Sequence, residues 1–75
     1  MTRYRFFSVF KENPDGTLTP LRAINVNGVI VGPGVSFGSG VALGGVNFQE
    51  YKNLDIAGED QGSVLVIKGF YQSGV

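Results

Sequence analysis

Few residues in this chain are able to do chemistry, and their spacing narrows what that chemistry could be. Asp55, Glu59 and Asp60 make the only acidic cluster. Carboxylate oxygens near a glycine suit a hard cation such as calcium or magnesium. Their spacing is not that of an EF-hand loop, and a solvated loop is the better explanation. Glu12 and Asp15 flank a turn, where they keep it soluble. There is no histidine and no cysteine. The commonest transition-metal ligands and the usual near-neutral general base are therefore missing. We expect no specific metal site, no cofactor and no disulfide. Ser8, Ser36, Ser39, Ser63 and Ser73 supply hydroxyls, but a serine–histidine–acid triad cannot form within one chain. Lys52 or Lys68 would have to serve in a serine–lysine scheme. Gly32, Gly34, Gly38 and Gly40 lack the lysine and the following helix that a phosphate loop requires.

A second group mixes cations and rings. Arg3, Tyr4, Arg5, Phe6 and Phe7 interleave near one end, and Lys68, Phe70 and Tyr71 near the other. Faces of this kind stack bases and contact phosphate on single strands. Arg3, Arg5, Lys68 and Tyr71 are the candidate contacts. Against this, six basic residues balance six acidic ones. A formal charge of zero leaves no footprint for duplex nucleic acid or an anionic membrane. A nucleic-acid partner is not expected, and a cationic sheet rim over core aromatics is the plainer explanation.

These groups must be positioned by a small domain. The chain has 75 residues, 43% of them apolar, so one folded domain over residues 1–75 is expected. That length is near the limit for a core without outside support. No apolar run approaches a membrane span. Arg, Lys and Glu interrupt the apolar residues after Phe6 and Phe7, so no signal peptide is evident and a cytoplasmic setting is expected.

Alternating apolar residues predict strands over residues 3–11, 17–26, 29–37, 41–51 and 63–71. Asn13-Pro14-Asp15-Gly16 reads as a turn. Asn27-Gly28 is the strongest hairpin signal, because both residues tolerate positive φ. Gly38-Ser39-Gly40 reads as a short hairpin loop and Gly44-Gly45 as a bulge. Residues 52–62 read as a polar connection and residues 72–75 as a frayed tail. The first and last strands carry large apolar groups on both parities. The last must be central or covered.

One stretch invites a different fold. Val29-Ile-Val-Gly-Pro-Gly, Val35-Ser-Phe-Gly-Ser-Gly and Val41-Ala-Leu-Gly-Gly-Val repeat every six residues. The pattern resembles the hexapeptide repeat of left-handed β-helices. Val31-Gly32 to Val35 and Phe37-Gly38 to Val41 fit it, and Leu43-Gly44 starts a third unit with Asn47 in the small apolar place. The resemblance implies a short β-helix element. Ordinary antiparallel strands explain the parity of Val29, Val31, Val35, Phe37, Val41 and Leu43 and extend beyond the repeat, so they are the preferred reading.

The fold expected is thus all-β. It is a small glycine-rich antiparallel meander curled into a five-stranded barrel or roll, with the hexapeptide β-helix element as the alternative. The function expected is non-enzymatic: a self-associating assembly or protein-binding module, most simply a homo-oligomer. Phe7 and Phe70 are the candidate interface anchors. A weak single-stranded nucleic-acid binder, or an enzyme subunit with a site shared at an oligomer interface, are the alternatives.

Overall fold

A computed structural model describes residues 1–38 and 40–71. Ser39, Ser73 and the tail over residues 72–75 lie outside the described residues, and so does the tip of the Gly38-Ser39-Gly40 loop.

Phe6, Val9 and Phe10 stand three and four residues apart, which puts them on one side of a helical turn. All three are buried. The chain accordingly opens with strand β1 (Thr2–Tyr4), turns once as helix α1 (Phe6–Val9), and continues as β2 (Phe10–Glu12). The single strand expected over residues 3–11 does not form. Two apolar parities there are explained by a helical turn that gathers Phe6 and Val9 onto the core. Ser8 closes the turn, its N–H and hydroxyl both donating to the Arg5 carbonyl, at 3.0 and 2.7 Å.

The Asn13–Gly16 turn leads into β3 (Leu18–Pro20), which pairs with β2. Strand β4 (Ile24–Val26) follows after a break, and Asn27-Gly28 returns the chain as β5 (Val29–Val31). Asn27 and Gly28 have φ of 51° and 92°. Both signs are those of a type I′ turn, as the Asn-Gly pair predicts. Beyond β5 the chain crosses to β3, where Phe37 and Leu18 exchange backbone hydrogen bonds of 2.9 and 3.0 Å. It then folds through the Leu43–Val46 bridge into a 3-10 turn over Phe48–Tyr51. The Asn47 side chain caps that turn by accepting from the Gln49 N–H. Strands β6 (Ile56–Asp60) and β7 (Leu65–Phe70) complete the fold.

The strands form a five-stranded sheet in the order β1-β6-β7-β4-β5 and a separate pair β2-β3. Strand β4 runs parallel to β7, and the other pairings are antiparallel. The fold is mixed α/β, with no closed barrel or curled sheet. The all-β meander and barrel are overturned by α1 and by the parallel β4–β7 pairing, which needs a long crossover that a meander lacks. The β-helix element is overturned as well. Its six-residue period marks one edge strand, two isolated bridges and the turns between them.

Strand β6 falls where a polar connection is expected. Its sequence, IAGED, has little intrinsic strand preference. It is held by position, between β1 and β7, with Ile56 and Ala57 buried. Gly58 is buried too; a Cβ on it would lie 3.1 Å from both Leu65 Cδ1 and the Val66 carbonyl oxygen. The pairing slips by one residue between Ala57 and Gly58. Strand β7 is the middle strand; its Leu65 and Ile67 are buried on the core side, while Val66 on the other parity is only half-buried.

The core lies on one side of the large sheet. Ile24, Val26, Ile56, Leu65 and Ile67 face α1, the β2-β3 pair and the crossover. At its centre Phe10 stacks on Phe6 at 4.9 Å between ring centroids and meets Phe48 at 5.0 Å, while Phe37 lies 6.0 Å from both Phe10 and Phe48. Among the described residues no helix is long and apolar enough to cross a membrane.

Candidate functional site

The three carboxylates of the acidic cluster do not converge. Strand β6 and its approach carry them to three different cations. Asp55 accepts from Arg3 Nε at 2.7 Å. Glu59 lies 4.0 Å from Lys68 Nζ. Asp60 accepts from Arg22 Nη1 and Nη2 at 3.2 and 2.9 Å, and from the Gly62 N–H at 2.9 Å. Adjacent strand residues point to opposite faces, so Glu59 and Asp60 part by geometry. Among the described residues no group of three acidic side chains is placed to hold a metal.

Several hydroxyls and both candidate amines are already engaged. Ser36 shares a hydrogen bond of 2.7 Å with Thr19, and Asn13 Nδ2 donates to Thr17 and Thr19 at 2.9 and 2.8 Å. This knot braces the first turn against the crossover. Lys52 donates to Glu12 at 2.7 Å, and Lys68 stands beside Glu59. Both amines of the serine–lysine scheme therefore face carboxylates.

Two of these carboxylates link folding to pH. The Arg22 hydrogen bonds first, then the Gly62 N–H, hold the Asp60 carboxyl below its ordinary 3.8. The Thr17 hydroxyl at 2.7 Å, then its N–H at 3.0 Å, do the same for Asp15. Each group binds its proton more weakly in the folded chain. The stability it contributes is present in full above 3.8, the unfolded value, and is lost as pH falls through the lower folded value. Thermal midpoints are therefore expected to drop below about pH 4, and Asp60→Asn should make that drop shallower. An acid limb of unchanged steepness in the variant would show that the Arg22–Asp60 contact does not contribute.

The cation–aromatic residues are brought together in part. The Arg3 guanidinium carbon sits 4.4 Å above the Tyr71 ring, and the Tyr71 N–H donates to the Asp55 carbonyl at 2.9 Å. Arg3, Asp55 and Tyr71 thus fasten β1 to the ends of β6 and β7. Beside them is an open cleft of about 340 Å³, whose wall includes Arg5, Phe7, Lys52 and Leu54. Phe7 is 49% exposed. Lys68 and Phe70 line a different cleft, of about 230 Å³, with Val26, Val46 and Tyr51. There Phe70 is half-buried, stacked on Tyr51 at 4.5 Å and 8° and set edge-on to Phe48 at 5.7 Å. Of the four nucleic-acid candidates, Arg3 and Tyr71 meet each other, Arg5 lines one cleft and Lys68 the other; the two interface candidates also line separate clefts.

A feature that strand counting misses lies on β5. No charged residue occurs between Arg22 and Glu50. Within that stretch Val29, Ile30, Val35 and Val41 are exposed, Ile30 the most at 63%. The run was readable as an absence of charge, a signal easily passed over beside the glycine repeat. No family model, no curated protein and no solved structure matches the chain.

Proposed function

We propose that this chain is a non-enzymatic assembly module that holds to another protein surface, a second copy of itself first of all. The observation that carries this reading is the apolar surface left in water by so small a fold. Phe7, Leu21, Val29, Ile30, Val35 and Val41 are all exposed large hydrophobics. Single exposed apolar residues are ordinary. Here four of the six fall in a stretch without any charge, and a 75-residue domain gains much from burying more surface. Phe7 and Phe70 are the aromatic candidates for such a contact, and they line separate clefts.

The alternatives have less support. Arg3 and Lys68 each sit beside a carboxylate, which leaves little free positive charge for phosphate. An enzyme site shared between subunits would need an acid or base aimed outward, and each carboxylate of the acidic cluster is beside a cation.

Light scattering across a micromolar concentration series tests the reading. A dimer or larger species is expected, and Phe7→Glu tests whether the Phe7 cleft belongs to the contact. A strictly monomeric mass throughout the series would overturn the self-associating form of the proposal.

A further inference from the structure

We infer that the self-contact is made by β5, which pairs antiparallel with β5 of a second copy about Ile30 and joins the two five-stranded sheets edge to edge. This rests on the self-association reading above and names its surface.

Backbone geometry supplies the first argument. A two-residue turn makes Val26 and Val29 the hydrogen-bonded pair beside it, and pairs of the two kinds alternate along an antiparallel ladder. Ile30, opposite Asn25, is then in a non-hydrogen-bonded pair. Its N–H and C=O point away from β4, toward the open edge of the sheet. A two-fold axis at Ile30 lets each copy donate its Ile30 N–H to the other's Ile30 carbonyl. Val29 then faces Val31 of the second copy, and Val31 faces Val29.

The second argument compares edges. Natural sheets protect their edge strands with charge, proline or cover. Strand β1, the other edge of the large sheet, carries Arg3 with its side chain 62% exposed. Strand β2, the outer strand of the pair, carries exposed Lys11 and Glu12. Strand β5 has the sequence Val-Ile-Val, with no charge or proline among its three residues.

The third argument is symmetry. A two-fold contact sets a surface against itself, so any net local charge meets its own sign. The charge-free stretch between Arg22 and Glu50 suits that arrangement better than it suits a charged partner. Aliphatic β-branched residues opposite one another are also favourable cross-strand pairs. Once β5 is paired, both ends of the joined sheet are β1 strands with their arginines. The assembly therefore closes at two copies and does not grow into a fibre.

The native chain has no cysteine, so site-directed cross-linking reads this contact directly. The hydrogen-bonded pair places Cα atoms about 5.5 Å apart, inside the range a disulfide spans. Under mild oxidation Ile30→Cys is expected to form covalent dimer at least about tenfold faster than Thr2→Cys, on the guarded edge. Ile30→Lys is expected to shift the light-scattering mass to monomer while its circular dichroism spectrum stays that of the native fold. Equal cross-linking at both positions, or a dimer that persists in Ile30→Lys, would overturn the β5 contact while self-association stood. A native chain that stays monomeric would overturn both. A mass that grows beyond two copies would refute the closed pair.

Discussion

Phe48→Ala is expected to cost about 3–5 kcal/mol. A domain of 75 residues has a total stability of roughly 4–11 kcal/mol. The variant should therefore sit near the edge of unfolding. The reason is position. Phe48 is fully buried, and its ring meets Phe10 at 5.0 Å, Phe70 at 5.7 Å and Phe37 at 6.0 Å. It belongs to the 3-10 turn of the crossover, so its ring is the contact that seats the crossover on the sheet. Truncation removes the transfer free energy of the ring and leaves a cavity lined by three other rings, none of which can fill it without leaving its own contacts. Phe7→Ala is the comparison. That ring is 49% exposed and touches Phe6 edge-on, so the change should stay within about 1 kcal/mol. Urea denaturation followed by circular dichroism separates the two. Should Phe48→Ala fail to fold at all, Phe48→Leu, which keeps much of the volume, should fold with a smaller loss. Equal midpoint shifts for Phe48→Ala and Phe7→Ala would contradict the packing described.

What the sequence made legible follows the range of the forces involved. Asn27-Gly28 is a local signal, since two adjacent residues decide the sign of their own φ, and the hairpin stands where the pair predicts it. The Asn13–Gly16 turn is local in the same sense, with Asp15 closing on Thr17 two residues away. Strand β7 was legible because its apolar run suits a strand paired along both edges, and it is the middle strand of the sheet. Strand β6 was not. Ile56 to Asp60 becomes a strand because β1 and β7 present unpaired backbone groups on both sides of it, and those groups come from residues far along the chain. Helix α1 was legible only in another period. Phe6, Val9 and Phe10 fit helical spacing, whereas strand alternation would set Val9 and Phe10 on opposite faces, and all three are buried. The same limit applied to the candidate site. Arg3 and Tyr71 share a composition at opposite ends of the sequence and do meet, whereas Arg5 and Lys68, equally plausible by composition, line separate clefts. Asp55, Glu59 and Asp60 are neighbours in sequence and are parted by a strand that the sequence does not announce: alternation separates Glu59 from Asp60, and the length of β6 separates both from Asp55.

Gly44→Ala is expected to be as damaging as the loss of a core ring, although it adds one methyl group. Leu43 and Val46 exchange backbone hydrogen bonds of 2.9 Å across Gly44-Gly45, which have φ of 56° and 82°. The pair therefore forms a tight two-residue turn, where a bulge in a longer strand was the expectation. This second turn docks on the first. Asn27 Nδ2 donates to the Gly44 carbonyl at 2.8 Å, and a Cβ on Gly44 would lie 2.2 Å from the Val26 carbonyl oxygen and 2.9 Å from its carbon. Those are backbone atoms of a strand fixed between β5 and β7, so they cannot swing aside as a flexible side chain would. Alanine at this place carries backbone strain of roughly 1–3 kcal/mol and an overpacking cost of about the same size. Relief would require the Leu43–Val46 turn to lift off, breaking the Asn27 hydrogen bond and loosening the crossover that leads to Phe48. Gly45→Ala is the internal control. Its φ is also positive, but nothing lies within 4 Å of the added carbon, so it should lose only the strain. Thermal midpoints of the two variants, measured side by side, decide the matter: Gly44→Ala should fall well below Gly45→Ala. Equal midpoints would mean that the two turns do not dock in the folded chain.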